Sequence, residues 1–98
     1  MTGLSRSTDG LDPRRKRILF RAWHRGIREM DLLLGRYAET VIEALSEAEL
    51  DAFEQLIALD DHDLYGWLTG REPVPPEHDD AMFRAVKAFH THTTPVGF

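Results

Sequence analysis

Apolar residues recur along this chain at intervals of three and four, in five blocks separated by glycine, proline or capping residues. Nowhere do β-branched residues alternate with the period of two that a half-buried strand requires. In the first block Ile18, Leu19, Ala22 and Trp23 share one face behind Asp12 and Pro13, residue types suited to an N-cap and a first helical position. A helix is therefore expected from Pro13 to about Arg25. Gly26 can take a left-handed turn and ends it. A second stripe then begins with Ile27 and runs through Met30, Leu34, Tyr37 and Val41. Ser46 with Glu49 three residues on spells a capping box, and Leu50, Phe53, Leu56 and Ile57 place a third helix behind it.

Asp60 to Gly70 reads as a short fourth helix, with Asp61 as N-cap, Leu64, Tyr65 and Leu68 turned inward and Gly70 as terminator. Pro73, Pro75 and Pro76 stiffen the link to a fifth helix, which should start near Glu77 with acids in its first turn and carry Met82, Ala85, Val86 and Phe89 as its apolar set. The expected fold is all-α: a compact five-helix bundle, one domain over residues 13–92, preceded by a disordered leader at 1–12 and followed by a flexible tail at 93–98. Isolated helices of this length are marginal in water, so pooled burial of their apolar faces must stabilise them.

Composition narrows the function classes more than the fold. With 98 residues the chain has room for one core. It contains no cysteine, which removes disulfides, thiolate nucleophiles and cysteine-based metal sites. No apolar run approaches the ~18 residues of a membrane-spanning helix, so no membrane span is expected and the predicted location is the cytoplasm. The net charge of −5 is polarised: residues 1–28 hold eight Lys/Arg against two Asp, whereas residues 29–98 hold four Lys/Arg against fifteen Asp/Glu. The two parts thus carry +6 and −11, a dipole that can orient the protein on a charged partner. No heptad seam is long enough to predict a dimer, and the free protein is expected to be a monomer.

Four clusters could carry chemistry. Arg25, Gly26, Arg28, Glu29 and Asp31 set two arginines, a glycine and two carboxylates around a helix break. At ~100° per residue Glu29 and Asp31 point about 200° apart, so they cannot act as a paired acid and base. A structural account also stands open: Gly26 as helix terminator, Glu29 on the helix dipole, and Asp31 paired with Arg28 one turn back. Asp60, Asp61, His62 and Asp63 fan out over a helix surface instead of converging on a metal. Glu77, His78, Asp79 and Asp80 resemble a helix start more than a metal phosphohydrolase pair, and His90 and His92 sit near a chain end where such residues are usually solvated. The basic run Arg14, Arg15, Lys16, Arg17, Arg21, Arg25 and Arg28 could meet phosphates. It lacks a recognition helix and an exposed aromatic platform, and the acidic remainder repels a polyanion, so no nucleic acid partner is expected. No catalytic, cofactor-binding or metal residue is expected.

With those residues in view, the chain resembles the FAD assembly factors of succinate dehydrogenase, small five-helix proteins. The resemblance covers roughly residues 13–90. It rests on R-G-x-x-E-x-D, here Arg25, Gly26, Glu29 and Asp31, just after a basic first helix, and on D-x-D-L-[YF]-x-W-L, here Asp61 to Leu68. It implies a chaperone-like, non-enzymatic protein that binds the flavoprotein subunit of succinate dehydrogenase, or of fumarate reductase, and promotes attachment of a client histidine to the FAD 8α-methyl. FAD is then the client's cofactor, with none bound tightly here. The resemblance makes Arg25, Gly26, Glu29 and Asp31 the partner-binding residues. Two other classes compete: an antitoxin-like neutralising module, and a nucleic-acid-binding regulator using the basic first helix.

Overall fold

The computed structural model describes residues 8–92, with the side chains of 91 and 92 excepted, so the expected tail at 93–98 and most of the expected leader lie outside the described residues. Five α-helices follow in order: α1 Pro13–Trp23, α2 Arg28–Val41, α3 Glu47–Ile57, α4 Asp61–Leu68 and α5 Ala81–His92. One turn of 3-10 helix, Pro76–His78, lies before α5. Among the described residues there is no strand, and no helix is long and apolar enough to cross a membrane. The fold is all-α, as the periodicity requires.

Helix α1 begins where its capping residues dictate. The Asp12 side chain accepts from the Arg15 backbone N–H at 3.2 Å, and Pro13 occupies the first turn. Ahead of it, Leu11 N–H donates to Thr8 O at 3.1 Å and the Leu11 side chain is buried, so the part of the expected leader next to α1 belongs to the core. The helix stops two residues short of Arg25. Arg25 N–H leaves the helical ladder and donates to Asp31 Oδ1 at 2.6 Å, and Gly26 follows at φ +91°, a conformation that strains any residue with a Cβ.

Helix α2 starts at Arg28, with Ile27 extended at its N-cap and 43% exposed, so Ile27 does not join the buried stripe it was expected to lead. An N-cap residue lies outside the helical repeat, which is why its side chain escapes the inward face. The Ser46/Glu49 capping box forms in both directions, at 3.1 and 2.8 Å. In α4 the cap is Asp60, not Asp61: Asp60 accepts from the backbones of His62 and Asp63. That leaves Asp61 in the first turn with its carboxylate available elsewhere. Helix α5 begins at Ala81, later than expected, because the prolines lead into the 3-10 turn first; Asp80 accepts from Phe83 N–H at 2.8 Å and no acid lies in the first turn of α5.

The core joins all five helices. Helix α2 lies chiefly against α1, while α5 closes over α2, α3 and α4. Ile18, Met30, Leu34, Ile42, Leu50, Phe53, Leu64 and Val86 are fully buried, and each such side chain contributes about 1.5–3 kcal/mol relative to its exposed state. Tyr37 sits between Phe53 and Phe89, the latter edge-on at 5.5 Å. Trp23 crosses α2 at Gly35, where an added Cβ would stand 2.6 Å from the indole Cε2. Glycine is required there by close approach, not by backbone angle.

Candidate functional site

The basic run of α1 is divided by the fold into inward anchors and outward charges. Arg15 turns to the C-terminus of α2, where its guanidinium donates to Ile42 O at 2.9 Å and to Leu45 O while pairing with Asp12. Arg14 reaches three carboxylates of α3: Glu47 at 2.9 Å, Asp51, and Glu54 at 2.7 Å. These partners hold the Arg14 guanidinium firmly protonated, the hydrogen bond to Glu54 contributing most.

Arg25 goes furthest inward. Its guanidinium sits at the corner between α3 and α4, donating to Asp61 Oδ1 from Nε at 2.9 Å and Nη2 at 2.6 Å, to Ile57 O, and to Leu59 O at 3.3 Å. The charge thereby meets the unsatisfied carbonyls where α3 ends and the carboxylate where α4 begins. The side chains of Arg25 and Asp61 are only 10% and 19% exposed. One residue therefore ties together the two sequence segments that stand 36 positions apart, Arg25 to Asp31 and Asp61 to Leu68.

Asp31 faces back into the loop, holding Arg25 N–H, and makes no pair with Arg28. Glu29 points the other way, as the helical angle requires, to the mouth of a cleft of about 370 Å³. Ile27, Met30 and Tyr65 supply its apolar lining, and Asp61, His62 and Arg71 its polar rim. The Arg71 guanidinium lies over the Tyr65 ring, 5.6 Å from its centroid. The Glu29 side chain makes no ion pair or hydrogen bond with any described residue. Apart from its two chain neighbours, no described residue has a heavy atom within 4 Å of the place a Cβ on Gly26 would occupy, so the loop is open to an approaching surface there.

Of the four expected contact residues, the structure thus exposes Gly26 and places Glu29, partly buried, in the lining of the cleft, whereas the Arg25 guanidinium and the Asp31 carboxylate are engaged within the chain. Sequence reasoning missed Ile27 and Tyr65 as cleft walls. Its available signal was the position of Ile27 directly after a left-handed glycine. It also missed Phe20, which is 62% exposed and stacked on the His24 ring at 3.7 Å.

The other clusters resolve into capping and packing. Asp60 and Asp80 are N-caps, Arg84 lowers the Asp79 carboxyl through a 2.9 Å hydrogen bond, and His78 stacks on Trp67. No group of three or more His, Asp or Glu among the described residues could hold a metal ion. His90 departs from the expectation of a solvated end: its Nε2 lies 2.7 Å from Leu33 O. A carbonyl only accepts, so Nε2 carries the proton; Nδ1 is buried without a partner among the described residues, and burial holds the ring's pKa below its ordinary value.

Comparison with known proteins covers both segments. Residues 16–90 match the family model described as flavinator of succinate dehydrogenase. The chain belongs to this flavinator family. It is 40% identical over 76 residues to "FAD assembly factor SdhE" of Acetobacter pasteurianus, covering 78% of this chain and 70% of that protein. It is 36% identical over 76 residues to "Succinate dehydrogenase assembly factor 2, mitochondrial" of Debaryomyces hansenii, covering 78% of this chain and 54% of that one. With the protein of the same name from Dictyostelium discoideum it shares 32% over 84 residues, covering 86% and 59%. The chain spans between half and three fifths of the length of these mitochondrial relatives. Both flavinator segments, the R-G-x-x-E-x-D loop and α4, lie inside the matched region.

Proposed function

We propose that this protein is a non-catalytic assembly factor that binds the flavoprotein subunit of succinate dehydrogenase and promotes covalent attachment of FAD to it. The observation that carries the reading is Glu29: a carboxylate without a partner among the described residues, lining an apolar cleft from the first turn of α2, directly after the loop that Arg25 and Asp31 hold. An unspent charge beside apolar surface is what a partner-binding patch offers, since burying it against a complementary group favours one partner over others. Gly26, Ile27 and Glu29 form the contact surface. Arg25 and Asp31 fix its shape, where the resemblance had implied that all four motif residues bind the partner.

The bond forms between client and FAD. This protein acts by binding more tightly to the client conformation in which the reacting groups are aligned, because only differential affinity shifts a population. Each tenfold acceleration requires about 1.4 kcal/mol of such preference, within the range of one or two well-placed interfacial side chains. The reading makes the protein a cytoplasmic monomer that holds no tightly bound cofactor of its own. Covalent flavin fluorescence of the denatured flavoprotein band, from cells lacking the protein or carrying Glu29→Ala, is the test. Fluorescence should fall in both at normal client abundance, while the purified variant keeps its helical content and melting midpoint. Unchanged fluorescence in cells lacking the protein overturns the function, and a loss confined to an unfolded variant overturns the role of Glu29.

A further inference from the structure

We propose that the outward face of α1 is a second docking surface, and that it takes an acidic segment of the client carrying an apolar side chain. The inference rests on the assembly-factor reading, because the client is the partner meant. At ~100° per residue, Lys16, Phe20, His24, Arg17 and Arg21 succeed one another around an arc of about 140°, opposite Ile18, Leu19, Ala22 and Trp23. All five outward residues are exposed. Phe20 stands near the middle of the arc, its ring packed on His24, and His24 Nδ1 lies 2.7 Å from Phe20 O, so the imidazole is tied to the helix beneath the ring.

Charge sets the chemistry of the occupant. Arg14, Arg15 and Arg25 of the same run are satisfied within the chain, but Lys16, Arg17, Arg21 and Arg28 make no ion pair with any described residue. Four unspent cations around one exposed aromatic ring complement a segment that places carboxylates beside an apolar side chain. Along the chain the stripe is followed, past the Gly26 break, by the exposed Ile27, which lines the cleft, and by the exposed Arg28. A polyanion is the weaker fit. The stripe spans only about three helical turns, and residues 29–98 carry fifteen Asp/Glu against four Lys/Arg, which repel an extended nucleic acid or an anionic bilayer.

The experiment titrates the full chain against the purified flavoprotein subunit of succinate dehydrogenase at low and high salt. It compares the unsubstituted protein with K16E/R21E, K16Q/R21Q and F20A. K16E/R21E should bind at least about tenfold more weakly, mostly through slower association, with a flattened salt dependence; K16Q/R21Q should fall between. F20A should weaken binding about tenfold and leave the salt dependence unchanged. The substituted side chains are exposed on the face of α1 away from the core, so circular dichroism should show every variant folded. If K16E/R21E matches the unsubstituted protein in affinity and salt dependence, the α1 surface is not used and the Glu29 cleft stands alone. Failure of the unsubstituted chain to bind the client at all sinks the assembly-factor reading and this inference with it. Tighter binding to poly-uridine RNA or phosphatidylserine vesicles than to the client, lost in K16E/R21E, assigns the surface to a polyanion and overturns the proposal.

Discussion

The two ends of α1 use the same residue type in opposite ways. At the N-terminal end Arg14 meets three carboxylates of α3, two of them well exposed: Glu47 at 76% and Asp51 at 64%. Past the C-terminal end Arg25 meets a single carboxylate and two carbonyls, with both charged side chains largely withdrawn from water. By number of ion pairs Arg14 is the stronger element. By physical argument it is the weaker, since exposed pairs exchange one set of water contacts for another and are screened by salt. Arg25 satisfies groups that have no alternative partner: helix-end carbonyls and a half-buried carboxylate. Its end of α1 also carries the candidate site. The withdrawn pair thus stands where the candidate loop must keep its shape, and the exposed ones where charge lies along a helix surface.

The largest expected effect tests this asymmetry directly. Arg25→Ala should cost about 2–4 kcal/mol, leaving Asp61 uncompensated and the end of α3 uncapped, read as a fall in the thermal midpoint. Arg25→Lys should recover only part of it, because one ammonium cannot reach the carboxylate and both carbonyls in the geometry of a planar guanidinium. An Arg25→Ala protein as stable as its parent would break the comparison.

Gly35→Ala follows, at about 1–3 kcal/mol in chemical denaturation, since the new methyl must displace the Trp23 ring that closes the same end of α1. The pairing of Gly35→Ala with Trp23→Leu sharpens the point: if the clash is the cause, the smaller side chain should suppress most of the loss.

Acidification should have a smaller effect, and one independent of both ends. The His90 pKa lies below 6.5 in the folded protein, so the unfolded chain binds more protons there. The stability that neutral His90 contributes is present above about pH 6.5 and declines as pH falls below it, toward and through the lowered folded value. Protonation gives the buried Nδ1 a proton with no acceptor. Thermal midpoints measured from neutral to mildly acid pH should fall in the parent, and His90→Gln should flatten that profile. The smallest effect belongs to Arg14→Ala: a slight shift of the midpoint at low salt that vanishes near 1 M salt, where the Debye length is about 3 Å. An Arg14→Ala loss that persists in high salt would reverse the ranking.

Much of the helical layout was legible because its causes are local. Asp12 before Pro13, Ser46 with Glu49, and glycines 26 and 70 act within one or two turns of themselves, and each does in the fold what its neighbours predict. The errors fall where a local rule allowed two outcomes. Asp60 and Asp61 are equally good caps by type, and the choice went to Asp60 because Arg25, far away in sequence, draws Asp61 to itself. The apolar period placed Ile27 in a stripe that its N-cap geometry denies it.

The candidate site was legible as a motif but not as an arrangement. The sequence by itself determined that the chain would be helical, where its helices would be interrupted, and that positive charge would be concentrated in its first third, since capping, periodicity and composition need no distant partner. Only the tertiary structure decided which members of the basic run turn inward, that Arg25 supports the loop while Glu29 faces outward, and that Tyr65 and Arg71 complete the cleft beside it. Those assignments depend on which groups meet across α1, α3 and α4. A side chain settles on the partner that best offsets its desolvation, and that partner exists only once the helices have packed.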